Sequence, residues 1–179
     1  MAAVMQIGPM GFDKNFSYVV YGQQNNALLI DATGSREEIE KAIAEKGLMV
    51  VRQVITHAHP DHTENAKYFE EKGIPLISFE EMKKEQGFMI GSFLVRVIFT
   101  PGHTPDSVCF LIENNLFSGD TLFAHGHGRT DLAGSSQEEM NSSLKELSGL
   151  APETIVWPGH DYGGKKTTLK EALAECGIK

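Results

Sequence analysis

The chain has 179 residues, a length that suits one domain with a sizeable core, so we expect a single domain over residues 1–179. Its 16 basic and 24 acidic residues give a formal net charge of −8, which disfavours a broad surface for nucleic acid or an anionic membrane. No signal peptide or membrane-spanning run is recognisable. Two distant cysteines, Cys109 and Cys176, favour a reduced, cytoplasmic protein, although one disulfide stays open. We therefore expect a small-molecule substrate and no nucleic-acid or membrane partner; the sequence is silent on oligomeric state.

The first half of the chain alternates apolar runs with helical patterns. Turn residues at 22–26 join two strands as a hairpin, and Ser35 and Gly47 are typical of the beginning and end of a helix. The predicted elements are strands at 16–21 and 27–30, a helix between Ser35 and Gly47, a strand at 50–55, a helix at 63–72, a short strand at 75–77 and a charged helix at 79–85.

The second half is richer in strands. Residues 113–115 form another predicted hairpin turn, and Ser136 is a second helix-capping residue. The predicted elements are strands at 88–90, 93–99, 108–112 and 116–117, a helix at 136–147, a strand at 154–157 and a helix at 167–176. Hairpin strands with intervening helices indicate an α/β or α+β chain with two mixed sheets facing each other and helices outside.

A dense cluster of metal-ligand side chains directly follows the predicted strand at 50–55. His57 and His59 are two residues apart, so in an extended chain they point the same way. Asp61 and His62 follow at the turn into the next helix. Imidazole and carboxylate groups suit borderline-soft divalent metals. This spacing predicts a metal site rather than a histidine-rich surface loop.

Three further candidate ligands follow later strands. His103 lies in Pro101-Gly102-His103-Thr104, Asp120 in Phe117-Ser118-Gly119-Asp120-Thr121, and His160 in Trp157-Pro158-Gly159-His160-Asp161-Tyr162. Each one alone is equally well explained as a turn or capping residue. Because all three follow apolar strands, a shared role as metal ligands is the better joint explanation.

These four segments resemble, in order, the four metal-binding motifs of the metallo-β-lactamase superfamily. The resemblance spans nearly the whole chain and implies a four-layer αββα sandwich with the metal site at one edge of the two sheets. It also implies two divalent ions. The implied ligands are His57, His59 and His103 for the first ion, Asp61, His62 and His160 for the second, and Asp120 as a bridge between them.

Such a ligand set suits hydrolysis. Two ions roughly 3.5–4 Å apart can share a hydroxide, because each lowers the pKa of bound water. The hydroxide would attack a carbonyl carbon while Asp61 orients it. Zinc is the expected metal, and iron and manganese also suit these ligands. Asp31, which ends the predicted strand at 27–30, is interpreted equally well as a turn residue or as a support for the ligands.

Among the superfamily, the sequence looks most like glyoxalase II, which hydrolyses hydroxyacyl-glutathione thioesters. Arg129 and Tyr162 are then candidate substrate-binding residues, although Arg129 can instead form a buried pair with Asp131, which we favour, and Tyr162 can be a packing residue. The helical region that helps glyoxalase II bind glutathione has no counterpart in these 179 residues, so other thioesters, esters or lactones are also expected. True β-lactamases usually lack an aspartate at the position of Asp120, which argues against β-lactam hydrolysis.

Two alternatives stay open. Persulfide dioxygenases share the motifs but bind one iron, for which His57, His103 and Asp120 would be the ligands; their substrate is glutathione persulfide. Residues 159–167 nearly fit a phosphate-binding loop, although Lys166 replaces the expected Ser or Thr, so a nucleotide-binding module is a weaker hypothesis. His125 and His127 are interpreted as solvated loop residues.

Overall fold

The computed structural model describes residues 1–11 and 13–178 of the chain. The strands in this described part are β1 (Ala3–Met10), β2 (Asn15–Tyr21), β3 (Asn26–Ile30), β4 (Met49–Val54), β5 (Gly87–Ile90), β6 (Phe93–Phe99), β7 (Val108–Ile112), β8 (Asn115–Gly119), β9 (Ile155–Pro158) and β10 (Thr167–Thr168). The helices are α1 (Arg36–Glu45), α2 (Pro60–Thr63), α3 (Ala66–Glu71), α4 (Phe79–Glu85), α5 (Gln137–Leu147) and α6 (Leu169–Glu175).

The strands form two mixed sheets. One sheet has the order β1-β2-β3-β4, and the other has the order β10-β9-β8-β7-β6-β5. Each sheet contains one parallel pair, β3 with β4 and β8 with β9, and the remaining neighbours are antiparallel. The parallel pairs are connected through α1 and α5 respectively.

Three apolar clusters separate four layers. Alternate residues of the two sheets, such as Tyr18 and Phe110, face each other in the central cluster. The opposite face of the first sheet packs against Ile39 of α1 and Phe69 of α3. The outer face of the second sheet packs against α5 and α6, where Leu144 is buried. The predicted αββα sandwich is therefore confirmed.

Three local predictions differ from the structure. Strand β1 was not predicted, because Gly8-Pro9 is typical of a strand boundary; here a register shift between Ile7 and Met10 accommodates these residues on an edge strand. The predicted helix at 63–72 is divided, because Asn65 donates from its backbone and its side chain to the carbonyls of Ala32 and Gly34. The predicted strand at 75–77 is reduced to a single bridge between Gln53 and Leu76.

Strand direction brings the four predicted motifs to one edge of the sandwich. Strands β8 and β9 are parallel, so the residues that follow them lie side by side, and β7 begins at that same edge because it is antiparallel to β8. Two backbone hydrogen bonds join the sheets there, from Val108 to Thr56 and from Phe16 to Gly159. Loops from both sheets consequently converge on one place.

Candidate metal centre

The first donor group consists of His57, His59 and His103. Nδ1 of His59 lies 3.0 Å from Nε2 of His57 and 3.0 Å from Nε2 of His103. His57 and His59 leave β4 on one loop, and His103 comes from the loop between β6 and β7. All three could therefore coordinate one ion, as the resemblance to the superfamily implied.

The second donor group consists of Asp61, His62 and His160. Oδ2 of Asp61 lies 3.6 Å from Nε2 of His62 and 3.5 Å from Nε2 of His160, and the two imidazole nitrogens are 3.2 Å apart. Pro60 is the first residue of the four-residue helix α2, and Asp61 and His62 project from this single turn. These three residues could hold a second ion.

Asp120 stands between the two groups. Its Oδ2 lies 3.5 Å from Nε2 of His103, whereas its Oδ1 lies 3.3 Å from Nε2 of His62 and 3.2 Å from Nε2 of His160. The residue is almost fully buried. One carboxylate oxygen thus faces each group, which is the placement that a bridging ligand requires.

Hydrogen bonds on the far side of each ring determine which nitrogen faces the centre. The Nδ1–H of His103 donates to the carbonyl of Arg129, that of His160 donates to the carbonyl of Asp13, and that of His62 donates to the Asp31 carboxylate. In a neutral ring the opposite nitrogen, Nε2, then carries a lone pair. Several lone pairs and the carboxylate of Asp120 converge, an arrangement that requires a cation.

Two further observations show that these residues fit metal ions. Among the described residues, no group donates a conventional hydrogen bond to the buried Oδ1 of Asp120. A tetrahedral ion with metal–nitrogen bonds of about 2.0–2.1 Å separates its ligand atoms by about 3.3 Å. The five donor separations given above, 3.0 to 3.6 Å, lie close to that value.

The two groups differ in their affinity for protons. Burial lowers the pKa of His57 to about 2, and burial likewise lowers the pKa of His59. Burial also opposes protonation of His62 and His160, but nearby carboxylates outweigh it. Asp31 and Asp120 raise the pKa of His62 above its ordinary value, and Asp120 raises that of His160. The same contacts hold the pKa of Asp120 well below its usual range despite its burial. Without metal, the Asp120 carboxylate therefore favours protonation of His62 and His160.

We predict that the second donor group loses its ion first as the pH falls. An ion must displace protons from His62 and His160 at any pH below their raised pKa values, and each displaced proton weakens the apparent affinity by about tenfold per pH unit. His57 stays neutral to a much lower pH, so the first group is affected later. Metal retained per chain, measured after dialysis at stepped pH and fixed free zinc, should fall in two steps. Loss of both ions in one step would contradict this order.

The donors lie at the floor of an open cavity of about 420 Å³. Its wall includes Tyr162, whose ring stacks on the imidazole of His160 at 4.8 Å and 4°, and Phe123, which meets Tyr162 edge-on. His125 and His127 line the cavity but belong to none of the three donor sets found among the described residues. A larger cavity of about 590 Å³ beside α6 has Lys170 as the only titratable side chain among its described lining residues.

The favoured interpretation of Arg129 is partly wrong. Its guanidinium forms a two-pronged pair with Asp131, at 2.9 and 3.0 Å, but both side chains are about two-thirds exposed rather than buried. The pair is open to water, Arg129 lines the cavity, and the backbone carbonyl of Arg129 supports His103. The guanidinium is therefore positioned where it could meet a substrate.

Asn15 and Gly159 support the ligands although their sequence pattern did not identify them, whereas support from Asp31 was one of its two expected roles. Asn15, at the start of β2, donates from Nδ2 to Oδ2 of Asp61 at 3.0 Å. Asp31 accepts from both the backbone and the hydroxyl of Thr56 as well as from His62, so it supports the ligands in addition to ending β3. Gly159 allows close approach, because a Cβ there would lie 2.5 Å from Oδ1 of Asp120.

The structure disfavours a phosphate-binding loop at 159–167. The backbone N–H groups of Gly159 and Asp161 are already donated to the carbonyls of Gly119 and Lys14. The segment leads into β10, and α6 begins only at Leu169, so no helix directly follows the glycines. Lys166 lies over the ring of Trp157, away from a phosphate-binding position.

The two cysteines do not pair with each other in the described part of the chain. Cys109 is buried and Cys176 is partly buried, and both are free thiols. Burial raises the pKa of the Cys109 thiol to about 11, so this residue is inert at neutral pH. None of the described helices has the length and apolar character required to cross a bilayer.

Two curated Bacillus proteins are similar over most of the chain. BaeB of Bacillus velezensis, described as a probable polyketide biosynthesis zinc-dependent hydrolase, is 29% identical, with 92% of this chain and 80% of BaeB covered. PksB of Bacillus subtilis carries the same description and is also 29% identical, with 83% of this chain and 74% of PksB covered. Both names specify zinc and hydrolysis.

Solved structures are similar over nearly the whole fold. The B3 metallo-beta-lactamase BLEG-1 has a TM-score of 0.85 and 28% identity, covering 96% of this chain and 97% of its own. ETHE1 from Myxococcus xanthus has a TM-score of 0.79 and 26% identity, covering 94% and 80%. TTHA1623 in a di-iron-bound form has a TM-score of 0.78 and 28% identity, covering 93% and 96%. The sequence profile of the Metallo-beta-lactamase superfamily matches residues 10–77 and 69–160, and the chain belongs to that superfamily.

Proposed function

We propose that the protein is a metal-dependent hydrolase with a dinuclear centre that acts on a thioester or a related small ester or lactone, as glyoxalase II does. The observation that carries this proposal is the position of Asp120: its two carboxylate oxygens face two donor groups at the floor of an open cavity. A closed structural site would have no such access. The relatives named as zinc-dependent hydrolases support zinc, and the di-iron form of TTHA1623 keeps iron as an alternative.

The residues have distinct proposed roles. His57, His59 and His103 hold the first ion, Asp61, His62 and His160 hold the second, and Asp120 contacts both. Two such ions supply an activated water and stabilise negative charge on the carbonyl oxygen. The Asp61 side chain is 38% exposed and lines the cavity, so its carboxylate can accept the proton of the attacking water and orient that water toward the substrate.

The cavity wall suits an acyl substrate with a polar or anionic end. The stacked rings of Tyr162 and His160 and the adjoining Phe123 give an aromatic surface. Arg129 and His127 lie at the same cavity and can contact an anionic leaving group, as glutathione would provide. The names of the two Bacillus relatives, which refer to polyketides, support a carbonyl-containing substrate class.

A thiol-release assay tests the proposal directly. Protein loaded with two zinc ions should hydrolyse members of a panel of hydroxyacyl-glutathione, acyl-coenzyme A and short acyl thioesters, and the same protein after chelation should not. A lactone and a chromogenic β-lactam belong in the panel, because BLEG-1 is named a β-lactamase. Hydrolysis of the β-lactam alone would overturn the thioester assignment, and no hydrolysis of any ester would overturn the hydrolase assignment.

A second candidate is a mononuclear iron persulfide dioxygenase. The side chains of His57, His103 and Asp120 converge. Two histidines and one carboxylate are the ligand set typical of non-haem iron oxygenases. The structural similarity to ETHE1 is consistent with this activity. Protein purified anaerobically without added metal separates the two candidates. About one iron per chain with oxygen uptake on glutathione persulfide favours the dioxygenase, whereas two ions without oxygen uptake favour the hydrolase.

A further inference from the structure

The turn between β1 and β2 contacts the second donor group, and Asp13 of this turn also lines the cavity. The carbonyl of Asp13 accepts from Nδ1 of His160 at 2.7 Å, and the carbonyl of Lys14 accepts from the backbone of Asp161 at 3.0 Å. The N–H of Phe16 donates to the carbonyl of Gly159 at 2.9 Å. Three residues of the segment 13–16 are therefore attached to the ligand loop that follows β9 of the other sheet.

Asn15 is the member of this segment whose side chain reaches a ligand. It is 5% exposed, and its Nδ2 donates to Oδ2 of Asp61 at 3.0 Å and to the backbone carbonyl of Asp61 at 3.2 Å. Thr33 also donates from its hydroxyl to that carbonyl. The backbone of Asp61 is thus held twice, but Asn15 is the residue that holds the carboxylate as well.

The hydrogen bond from Asn15 fixes the orientation of the Asp61 carboxylate. Its side chain is 38% exposed, so it lacks the close packing that fixes the buried rings of His62 and His160. Oδ2 is the oxygen that lies 3.6 and 3.5 Å from the Nε2 atoms of those two rings. An amide donor beside that oxygen retains this orientation and, being neutral, leaves the negative charge of the carboxylate available to a cation.

We propose that Asn15 is a positioning residue that directs the Asp61 carboxylate and thereby sets the affinity of the second donor group for its ion. This inference rests on the proposed function, because it requires a second ion. Among the described residues, the Asn15 side chain donates to Asp61 alone, whereas Thr56 contacts His57 and the carbonyl of Arg129 accepts from His103. The effect of Asn15 should consequently be confined to the second ion.

The test is a cobalt(II) titration of the metal-free full chain, followed by visible absorption, on wild type and Asn15→Leu. Leucine has nearly the same shape but no donor. Loss of a partner that orients a ligand typically weakens metal binding by about 10–100-fold. We expect the first equivalent of cobalt to bind as in wild type and the second to bind about 10–100-fold more weakly.

Gln53→Met is the matched control. Gln53 is also a buried amide on the first sheet, and its Nε2 donates to the carbonyls of Ala66 and Ile74 at 2.8 and 2.9 Å, away from the ligands. Its loss should lower the stability of the metal-free protein but leave both cobalt phases unchanged. If Asn15→Leu does not fold, Asn15→Ala removes the donor with a smaller side chain and should show the same selective loss.

The outcomes separate this inference from the proposed function. The role of Asn15 is overturned, and the proposed function is not, if the Asn15 variants bind both ions as wild type does. The same holds if both cobalt phases weaken equally in Asn15→Leu and Gln53→Met. A wild-type protein that binds two cobalt ions but releases no thiol, while Asn15→Leu still loses only the second, overturns the proposed reaction and keeps the inference. A wild type that binds one ion overturns both.

Discussion

Replacement of Asp120 by alanine is expected to remove both metal ions and nearly all activity. Its two oxygens face Nε2 of His103 on one side and those of His62 and His160 on the other, so this one side chain serves both groups. Without it, cations are held mainly by neutral imidazoles and lose a buried negative charge at close range. We expect the affinity for both ions to fall by at least about a hundredfold.

Metal content per chain and thiol release measure this effect. Asp131→Asn is a suitable control, since it also removes one negative charge from the loop after β8 but its side chain is exposed and pairs with Arg129. It should retain both ions. If the Asp120→Ala variant kept two ions per chain, Asp120 would not be the bridge. If the variant lost only the ion of the second donor group, Asp120 would belong to that group only.

The isosteric variant Asp120→Asn adds a distinction. The amide preserves the shape of the side chain but can offer only one oxygen and carries no charge. Because His62 and His160 owe their raised pKa values to Asp120 in part, the metal-free variant should also lose protons from these rings at a lower pH than wild type. Titration followed by NMR of the imidazole protons would show that shift.

The ligands were predictable from sequence because their signals are local. His57, His59, Asp61 and His62 lie within six residues after a strand, and that spacing is readable without a fold. Joining His103, Asp120 and His160 to them required the order of the motifs, which the resemblance supplied. The sandwich followed from the same resemblance, since hairpins and helices alone indicate only an α/β or α+β chain.

The supporting residues were not predictable, because their role depends on contacts between distant parts of the chain. Asp13 and His160 are 147 residues apart, and Asn15 and Asp61 are 46 apart. An asparagine before an apolar strand is ordinarily a turn residue, so its sequence gives no sign of a ligand contact. The division of the helix at Asn65 has the same origin, because bonds to Ala32 and Gly34 override the helical pattern.

The exposure of Arg129 shows a related limit. Because Arg129 and Asp131 are two positions apart, the sequence correctly indicated that they would pair. The spacing does not indicate which side of the loop faces water. The structural role near His103 belongs instead to the backbone of Arg129. A backbone carbonyl has no residue-specific signal, so only the fold could identify it.

Replacement of Asp61 by asparagine is expected to lower kcat by about 10²–10⁴-fold, the usual contribution of a general base. Of the two carboxylates at the centre, Asp120 is buried between imidazoles, whereas Asp61 opens into the cavity where water and substrate enter. The asparagine keeps the shape and an oxygen ligand, so the folding midpoint should not change. The rate must be measured at saturating zinc, because Asp61 also belongs to the second donor group.

The dependence on zinc separates the two roles of Asp61. If excess zinc restores the wild-type kcat, the carboxylate serves only to bind the ion. If kcat stays low with two ions bound, the carboxylate acts on the water itself, and the proton it accepts must then leave through the open cavity. Asp13→Asn is the control for charge, because Asp13 lines the same cavity but supports His160 through its backbone carbonyl. An unchanged kcat in Asp61→Asn at any zinc concentration would exclude Asp61 as the base and leave the attacking water to be oriented by the ions and Asp120 alone.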